Sequence, residues 1–211
     1  ERQDRLLASA YSKDDSFGIA YLDMSSGRFC ALQLSSTDDL LAQLRELNPA
    51  ELLLAEDSAL IPLLDDFAAR MRPPWEFDYD ACYKELCQQF ATKSLHSFGC
   101  ETLPAAICAA GGLLEYAKNT QRNALPHVQK LVTESPGDHI AIDAASRRHL
   151  ELDINVQGGD DNTLLSLLDH CKTPMGSRLL RRWLHRPLRD LHDVNVRQQS
   201  IPGFVRDLIF D

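Results

Sequence analysis

Three short apolar runs, separated by turn residues, open the chain and constrain its fold more than any other feature. They cover residues 6–11, 17–22 and 28–34, and each has the length of a single strand. Between the second and third runs lies the segment 23–27 (DMSSG), which is rich in turn-forming residues. This spacing predicts an antiparallel hairpin near the start of the chain.

Helix and strand signals then alternate. Leucines 40, 41, 44 and 47 follow a helix start at 36–39 with helical spacing, and Asn48-Pro49 ends that helix. A short apolar run at 51–55 predicts a buried strand. We further predict a helix over 57–70, a strand over 75–79, a helix capped by Asp80 that runs to Phe90, and a helix over 103–121. The first part of the chain is therefore expected to be α/β.

The pattern changes after residue 121. Residues 122–140 carry Pro126 and a turn at 135–138, which predicts an extended or irregular segment and a domain boundary. The remainder has only helix signals, so we predict an all-α second part. Its expected helices are 144–152 with Asp143 as cap, 164–170 with Thr163 as cap, 174–185, and one that starts near Asp190. The predicted domains are 1–135 and 136–211.

Charge is distributed unevenly along the chain. The net charge of −9 argues against a primary nucleic-acid-binding surface, and residues 1–140 carry that acidity. By contrast, residues 172–197 hold seven basic residues against Asp190 and Asp193. A DNA-backbone-binding helical module built on this basic stretch is one alternative function.

The expected compartment is the cytoplasm. No apolar run approaches the roughly 20 residues of a membrane span, and the N-terminus has no signal-peptide pattern. The six cysteines are expected to be reduced thiols, several of them buried. Because the sequence lacks an initiator methionine, we expect an excised fragment.

Fixed motifs in the last third carry a family resemblance. Residues 163–169 (TLLSLLD), 173–184 (TPMGSRLLRRWL) and 187–188, with 143–152 upstream, resemble the start of the core or lever domain of MutS DNA mismatch repair proteins. The first half is similar to the MutS connector domain at 22–29, 47–57 and 108–121. The last ten residues depart from the family pattern, since Pro202-Gly203 interrupts a helix that normally continues.

The resemblance implies a fold and a role. It implies a ribonuclease H-like connector domain with a mixed sheet and flanking helices, followed by a truncated all-α lever. Such a fragment would be non-catalytic, would relay nucleotide and mismatch state between domains, and would offer a docking surface to MutL. The predicted partner-binding residues are Lys84, Glu85, Gln88 and Gln89; no catalytic, cofactor-binding or metal-binding residue is predicted.

The parent protein implied by the resemblance is a DNA-dependent ATPase. It would bind ATP and Mg²⁺ and hold mismatched duplex DNA through domains outside this chain, as a homodimer or larger assembly. No membrane partner is expected.

A metal-dependent ribonuclease H-like nuclease is the other alternative. That chemistry needs several carboxylates converging on two divalent ions, and Asp23, Glu56 and Asp57 are the candidates. Asp23, however, lies in a turn-forming stretch where Asp commonly bonds nearby backbone, and Asp57 is equally suited to cap a helix. Structural roles are therefore the favoured interpretation of these carboxylates.

Two further patterns predict packing rather than chemistry. Gly111-Gly112 lies within an Ala-rich helix without the pattern of a phosphate-binding loop, which indicates close packing. The signature helix 174–185 is expected to pack through an apolar face, with Gly176 permitting close helix–helix approach. That face consists of Leu179, Leu180, Trp183 and Leu184, while Arg178, Arg181 and Arg182 lie toward the other side and could pair with carboxylates.

Overall fold

The computed structural model describes residues 6–121, 124–140 and 142–199. They form two compact units that divide between Pro136 and Gly137. The segment with Pro202-Gly203 lies outside the described residues.

A six-stranded mixed sheet forms the first unit. β1 (Leu6–Lys13), β2 (Ser16–Asp23) and β3 (Arg28–Leu34) are antiparallel neighbours, which confirms the predicted hairpin. β4 (Glu51–Ala55) runs parallel to β1, β5 (Ala69–Arg72) parallel to β4, and β6 (Leu131–Thr133) parallel to β3. The strand order is β5-β4-β1-β2-β3-β6, so the α/β class with a mixed sheet is confirmed.

Helices cover both faces of this sheet. α1 (Thr37–Leu47) buries Leu40 and Leu44 against one face, together with a cluster that includes Ile19, Tyr21 and Leu52. On the other face, α2 (Tyr79–Gln89) and α3 (Pro104–Gln121) pack with Leu22, Phe29 and Leu53 among others. Since strand side chains alternate between faces, one sheet supplies both cores.

Three predictions in the first unit are wrong. The helix expected over 57–70 is a short 3₁₀ turn, Ile61–Leu63, followed by strand β5. Buried Leu60 and Leu64 have helical spacing, but pairing of β5 with β4 decides the structure of the later residues.

The strand expected over 75–79 is instead a 3₁₀ helix, Pro74–Phe77. Pro73 and Pro74 have no backbone N–H to donate to a sheet, and proline fixes the φ angle. Asp80 does not cap α2 either, because Asp78 Oδ1 accepts the hydrogen bond from the Ala81 backbone amide at 3.0 Å.

The second unit is helical, as predicted. It contains α4 (Ala144–His149), α5 (Leu164–Leu168), α6 (Pro174–His185) and a helical stretch over 191–199. Asp143 and Thr163 cap the first two helices as expected, although both helices end before the predicted residues 152 and 170. Thr173 caps α6 through its hydroxyl, which accepts a hydrogen bond from the Gly176 amide at 3.2 Å.

Two general properties of the chain follow. All six cysteines are free thiols, and Cys30, Cys82, Cys100 and Cys108 are buried. Within the described ranges, no helix has both the length and the apolar character needed to cross a bilayer.

Candidate functional site

Helix α2 carries the four residues predicted to bind a partner, and its inner face fixes how they are presented. Cys82 and Leu86 are buried against α3. The approach is close, because a Cβ on Gly111 would lie 2.3 Å from the Cβ of Cys82. A Cβ on Gly112 would likewise lie 2.8 Å from the Phe77 ring, which confirms that this glycine pair serves packing. The outer face of α2 is thereby held in one orientation.

Two of the four predicted residues lie on that outer face. Lys84 and Gln88 are exposed and are one helical turn apart, so their side chains point the same way. They form a continuous polar surface on the first unit.

The other two have partners within the first unit. Glu85 forms an ion pair with Lys118 of α3, with 2.7 Å between Oε1 and Nζ. Gln89 donates hydrogen bonds from Nε2 to the backbone carbonyls of Leu125 and Val128, at 3.2 and 3.1 Å. Glu85 and Gln89 therefore hold α2 to its neighbours.

A cleft of about 410 Å³ adjoins this surface. Its lining includes Gln88 and Gln89 from α2, Lys118 from α3, and Pro126 and Gln129 from the following segment. The structure therefore places Gln88 at the edge of a concave surface, with Lys84 one helical turn away.

The carboxylate of Asp23 organises the β2–β3 turn. Its Oδ1 accepts hydrogen bonds from the Ser25 amide at 2.9 Å and the Ser25 hydroxyl at 2.7 Å, while Oδ2 accepts from the Ser26 hydroxyl at 2.5 Å. The side chain is buried, with 1% exposure. The structural role that the sequence favoured for Asp23 is confirmed.

The sheet register separates Asp23 from the other candidate nuclease carboxylates. Asp23 is level with Leu6, at the beginning of β1, whereas Glu56 and Asp57 follow the carboxyl end of the parallel strand β4. About six residues of strand lie between these levels, which is roughly 20 Å. Two catalytic metal ions would need to be only about 4 Å apart. Asp57 also caps no α-helix, since a turn occupies that segment.

Neither metal ligands nor an activated nucleophile stand out in the described part of the chain. It contains no group of three or more His, Cys, Asp or Glu side chains arranged to hold a metal ion. Burial raises the pKa of the Cys108 thiol to about 11 and also raises the pKa of Cys82 and Cys87. Because the thiolate is the reactive form, these cysteines are suited to packing rather than covalent chemistry.

Arginines of the basic stretch make contacts within the second unit. Arg181 pairs with Asp153 at 2.8 Å, and His185 Nε2 lies 3.0 Å from the same carboxylate. A hydrogen bond with the His185 side chain holds the pKa of Asp153 below its usual value, and the charges of His185 and Arg181 lower it further. Arg197 lies over the ring of Trp183, 4.1 Å from its centroid. Pairing of the signature arginines with a carboxylate is thus confirmed for Arg181.

Two expectations for helix α6 need correction. A Cβ on Gly176 would lie 3.1 Å from the Cβ of Cys171, so this glycine admits the preceding loop rather than another helix. Leu179 and Trp183, expected within a packed apolar face, are 40% and 39% exposed. Other elements of the second unit do not fully cover this face.

A second cleft, of about 660 Å³, lies on the first unit where sequence reasoning placed a strand. Trp75, Tyr79 and Tyr11 contribute aromatic rings to it, and Trp75 is 73% exposed. The sequence signal for this turn is the Pro73-Pro74 pair, because two prolines are unfavourable inside a strand and favour a turn that exposes the next side chain.

Comparison with known protein families matches both units. The model of MutS domain II matches residues 5–129, which is more than half of the chain, and the model of MutS domain III matches residues 145–210. This chain belongs to the MutS family. Both matched MutS domains are non-catalytic, and together they place the chain in a DNA mismatch repair protein.

Proposed function

We propose that this MutS chain relays conformational state within a mismatch repair protein and offers MutL a docking surface on helix α2. In this proposal residues 1–135 form the connector and residues 136–211 begin the lever. ATP and Mg²⁺ act in the ATPase domain of the parent, and mismatched duplex DNA is held by other domains. Nucleotide binding biases the contact between domains and thereby changes access to the docking surface.

The observation that supports this assignment most directly is that the four predicted residues of α2 divide into two exposed residues and two that bond to neighbouring elements. Lys84 and Gln88 are exposed one helical turn apart and Gln88 lines a cleft, while Glu85 and Gln89 bond to neighbouring elements. A rigid element that presents free polar groups beside a concave surface meets the physical requirements of a docking site. In this proposal Lys84 and Gln88 contact MutL, and Glu85 and Gln89 position them.

The test is the binding of MutL to the whole chain after Lys84→Glu and Gln88→Glu are combined. We expect about a fivefold or greater loss of affinity in a titration, because the change adds negative charge at two contact positions. Glu85 stays unchanged in this test, since its substitution would also break the ion pair with Lys118.

The matched control is Arg45→Glu on α1. Arg45 is exposed and lies on the helix that covers the opposite face of the sheet. Its substitution by Glu reverses one positive charge, as Lys84→Glu does. MutL binding by this variant is expected to equal that of the unchanged chain. Equal loss in both variants would indicate a general charge effect, and full binding by the α2 variant would remove the site assignment.

A further inference from the structure

The aromatic cleft on the first unit has the chemistry of a site for a cation. Tyr11 lines one wall and stacks on the buried ring of Phe77, with 5.7 Å between the ring centroids and 9° between their planes. Trp75 stands beside it with most of its surface exposed, although tryptophan is among the residues that proteins usually bury. An exposed ring face such as that of Trp75 attracts a cation, and the planar guanidinium of arginine stacks on it well.

Two carboxylates and one lysine set the charge around this cleft. Asp78 lines it, and Asp57 follows the end of β4, which runs parallel to β1 and ends at the same edge of the sheet as Lys13. Burial raises the pKa of the Tyr11 phenol, and the charges of Asp57 and Asp78 are among the further causes that raise it. Lys13 is the cation that faces these two carboxylates among the described lining residues.

We propose that this cleft receives an arginine side chain from a basic peptide segment of a partner protein. The guanidinium would stack on Trp75 or Tyr79 and pair with Asp78, which is the arrangement that planar cations prefer. The volume of about 660 Å³ accommodates a short segment around the arginine rather than one side chain alone. This surface is separate from the outer face of α2, so it would serve a different contact.

Substitution of Lys13 tests whether the cleft prefers a positively or a negatively charged ligand. Among the described residues that line the cleft, it is the single cation. An arginine in the cleft would be repelled by Lys13, whereas an acidic ligand would be attracted to it. Lys13→Gln should therefore strengthen the binding of a basic segment and weaken the binding of an acidic one.

The experiment uses the whole chain and three capped tripeptides, Gly-X-Gly, in which X is arginine, citrulline or glutamate. Binding is followed by the indole N–H signal of Trp75 in the NMR spectrum. The chain has two tryptophans, so Trp183→Phe assigns the signals. We expect the arginine peptide to shift the Trp75 signal, with affinity about fivefold or more above that of the uncharged citrulline peptide.

Substitutions then locate the interaction. Asp78→Ser keeps an oxygen that can cap α2 but removes the charge, and it should weaken arginine binding about threefold or more. Asp57→Asn should act in the same direction. Asp38→Asn, on the exposed first turn of α1, removes one carboxylate from the opposite face of the sheet and should change nothing.

Four outcomes would overturn the proposal. They are equal binding of the citrulline peptide, tighter binding of the glutamate peptide with loss on Lys13→Gln, a Trp75 signal that no peptide moves, and a signal that moves only with protein concentration. The last outcome would assign the cleft to a second copy of the chain. None of the four bears on MutL binding through α2.

Discussion

At the scale of single residues, the β2–β3 turn shows how closely a local sequence can specify backbone geometry. Asp23 gathers three hydrogen bonds from Ser25 and Ser26. Gly27 follows with a φ of +70°, and a Cβ there would lie 2.3 Å from the His127 carbonyl oxygen. A side chain at residue 27 would therefore meet both backbone strain and a collision. The turn needs its Asp and its Gly for separate reasons.

Replacement of Asp23 by Ala should destabilise the first unit by about 1–3 kcal/mol, because the Ser25 amide and the hydroxyls of Ser25 and Ser26 lose a charged acceptor. Asp23→Asn should cost less, since one acceptor oxygen remains. Urea denaturation followed by circular dichroism measures both changes. Asp15→Ala, in the exposed β1–β2 turn, is the control and should stay within about 0.5 kcal/mol. If Asp23→Ala were equally mild, the three hydrogen bonds would not support the turn.

Residue roles were predictable from the sequence where the partners are local. The turn role of Asp23 and the caps Asp143 and Thr163 depend on atoms two or three residues away. Gln89 is different, because its acceptors lie 36 and 39 residues further along the chain. Helical periodicity marks Gln89 as a polar residue but cannot show whether it meets solvent or another segment.

At the scale of elements, predictions were correct where the signals are local in the sequence and incorrect where a distant partner decides the structure. Helix α6 has a Thr cap, Pro at its first position and a Pro after its end, and its predicted limits agree with the structure. Strand β5 has no comparable local signal in its four residues and exists because β4 offers it a partner. Short elements that depend on pairing across the sheet are therefore the ones that sequence reasoning missed.

The link between α2 and the segment before β6 gives a prediction at this scale. Gln89→Ala should leave the carbonyls of Leu125 and Val128 without their side-chain donor and cost about 1–2 kcal/mol. Amide hydrogen exchange over 124–130 should also speed up, because this segment would lose its tether to α2. Denaturation and exchange measured by mass spectrometry report the two effects.

Gln88→Ala is the matched control, since it makes the same chemical change one residue earlier at an exposed position. It should leave both the stability and the exchange of 124–130 unchanged. Comparable effects of the two substitutions would indicate that the helix, rather than the Gln89 hydrogen bonds, controls the segment.

At the scale of the whole molecule, the two units differ in how much apolar surface they bury. The first has a core on each face of its sheet, in which Tyr21, Phe29 and Leu53 are almost fully buried. In the second, the buried apolar side chains among the described residues are Leu152 and Leu165, whereas Leu191 is 77% exposed. Burial of apolar surface is the main stabilising term in folding, so the units should differ in stability.

Family membership could be predicted from the motifs of both units, but the difference in buried apolar surface between them could not. Leu179 and Trp183 follow an amphipathic pattern that normally indicates a covered face, and the pattern carries no information on whether a covering element is present. The structure shows that face to be partly exposed. The conformational stability of the second unit is therefore a physical property to be measured separately.

Amide hydrogen exchange on the whole chain measures the conformational stability of the second unit directly. We expect amides of α6 to exchange faster than those of β2 and α3, because a unit with little buried apolar surface opens at lower free energy. Low concentrations of urea should widen the gap, as the second unit unfolds first. The caps of α5 and α6 limit fraying at the helix starts but cannot replace a core, since each contributes only about 1 kcal/mol. Equal protection of α6 and α3 would contradict this expectation and would show that the two units unfold as one.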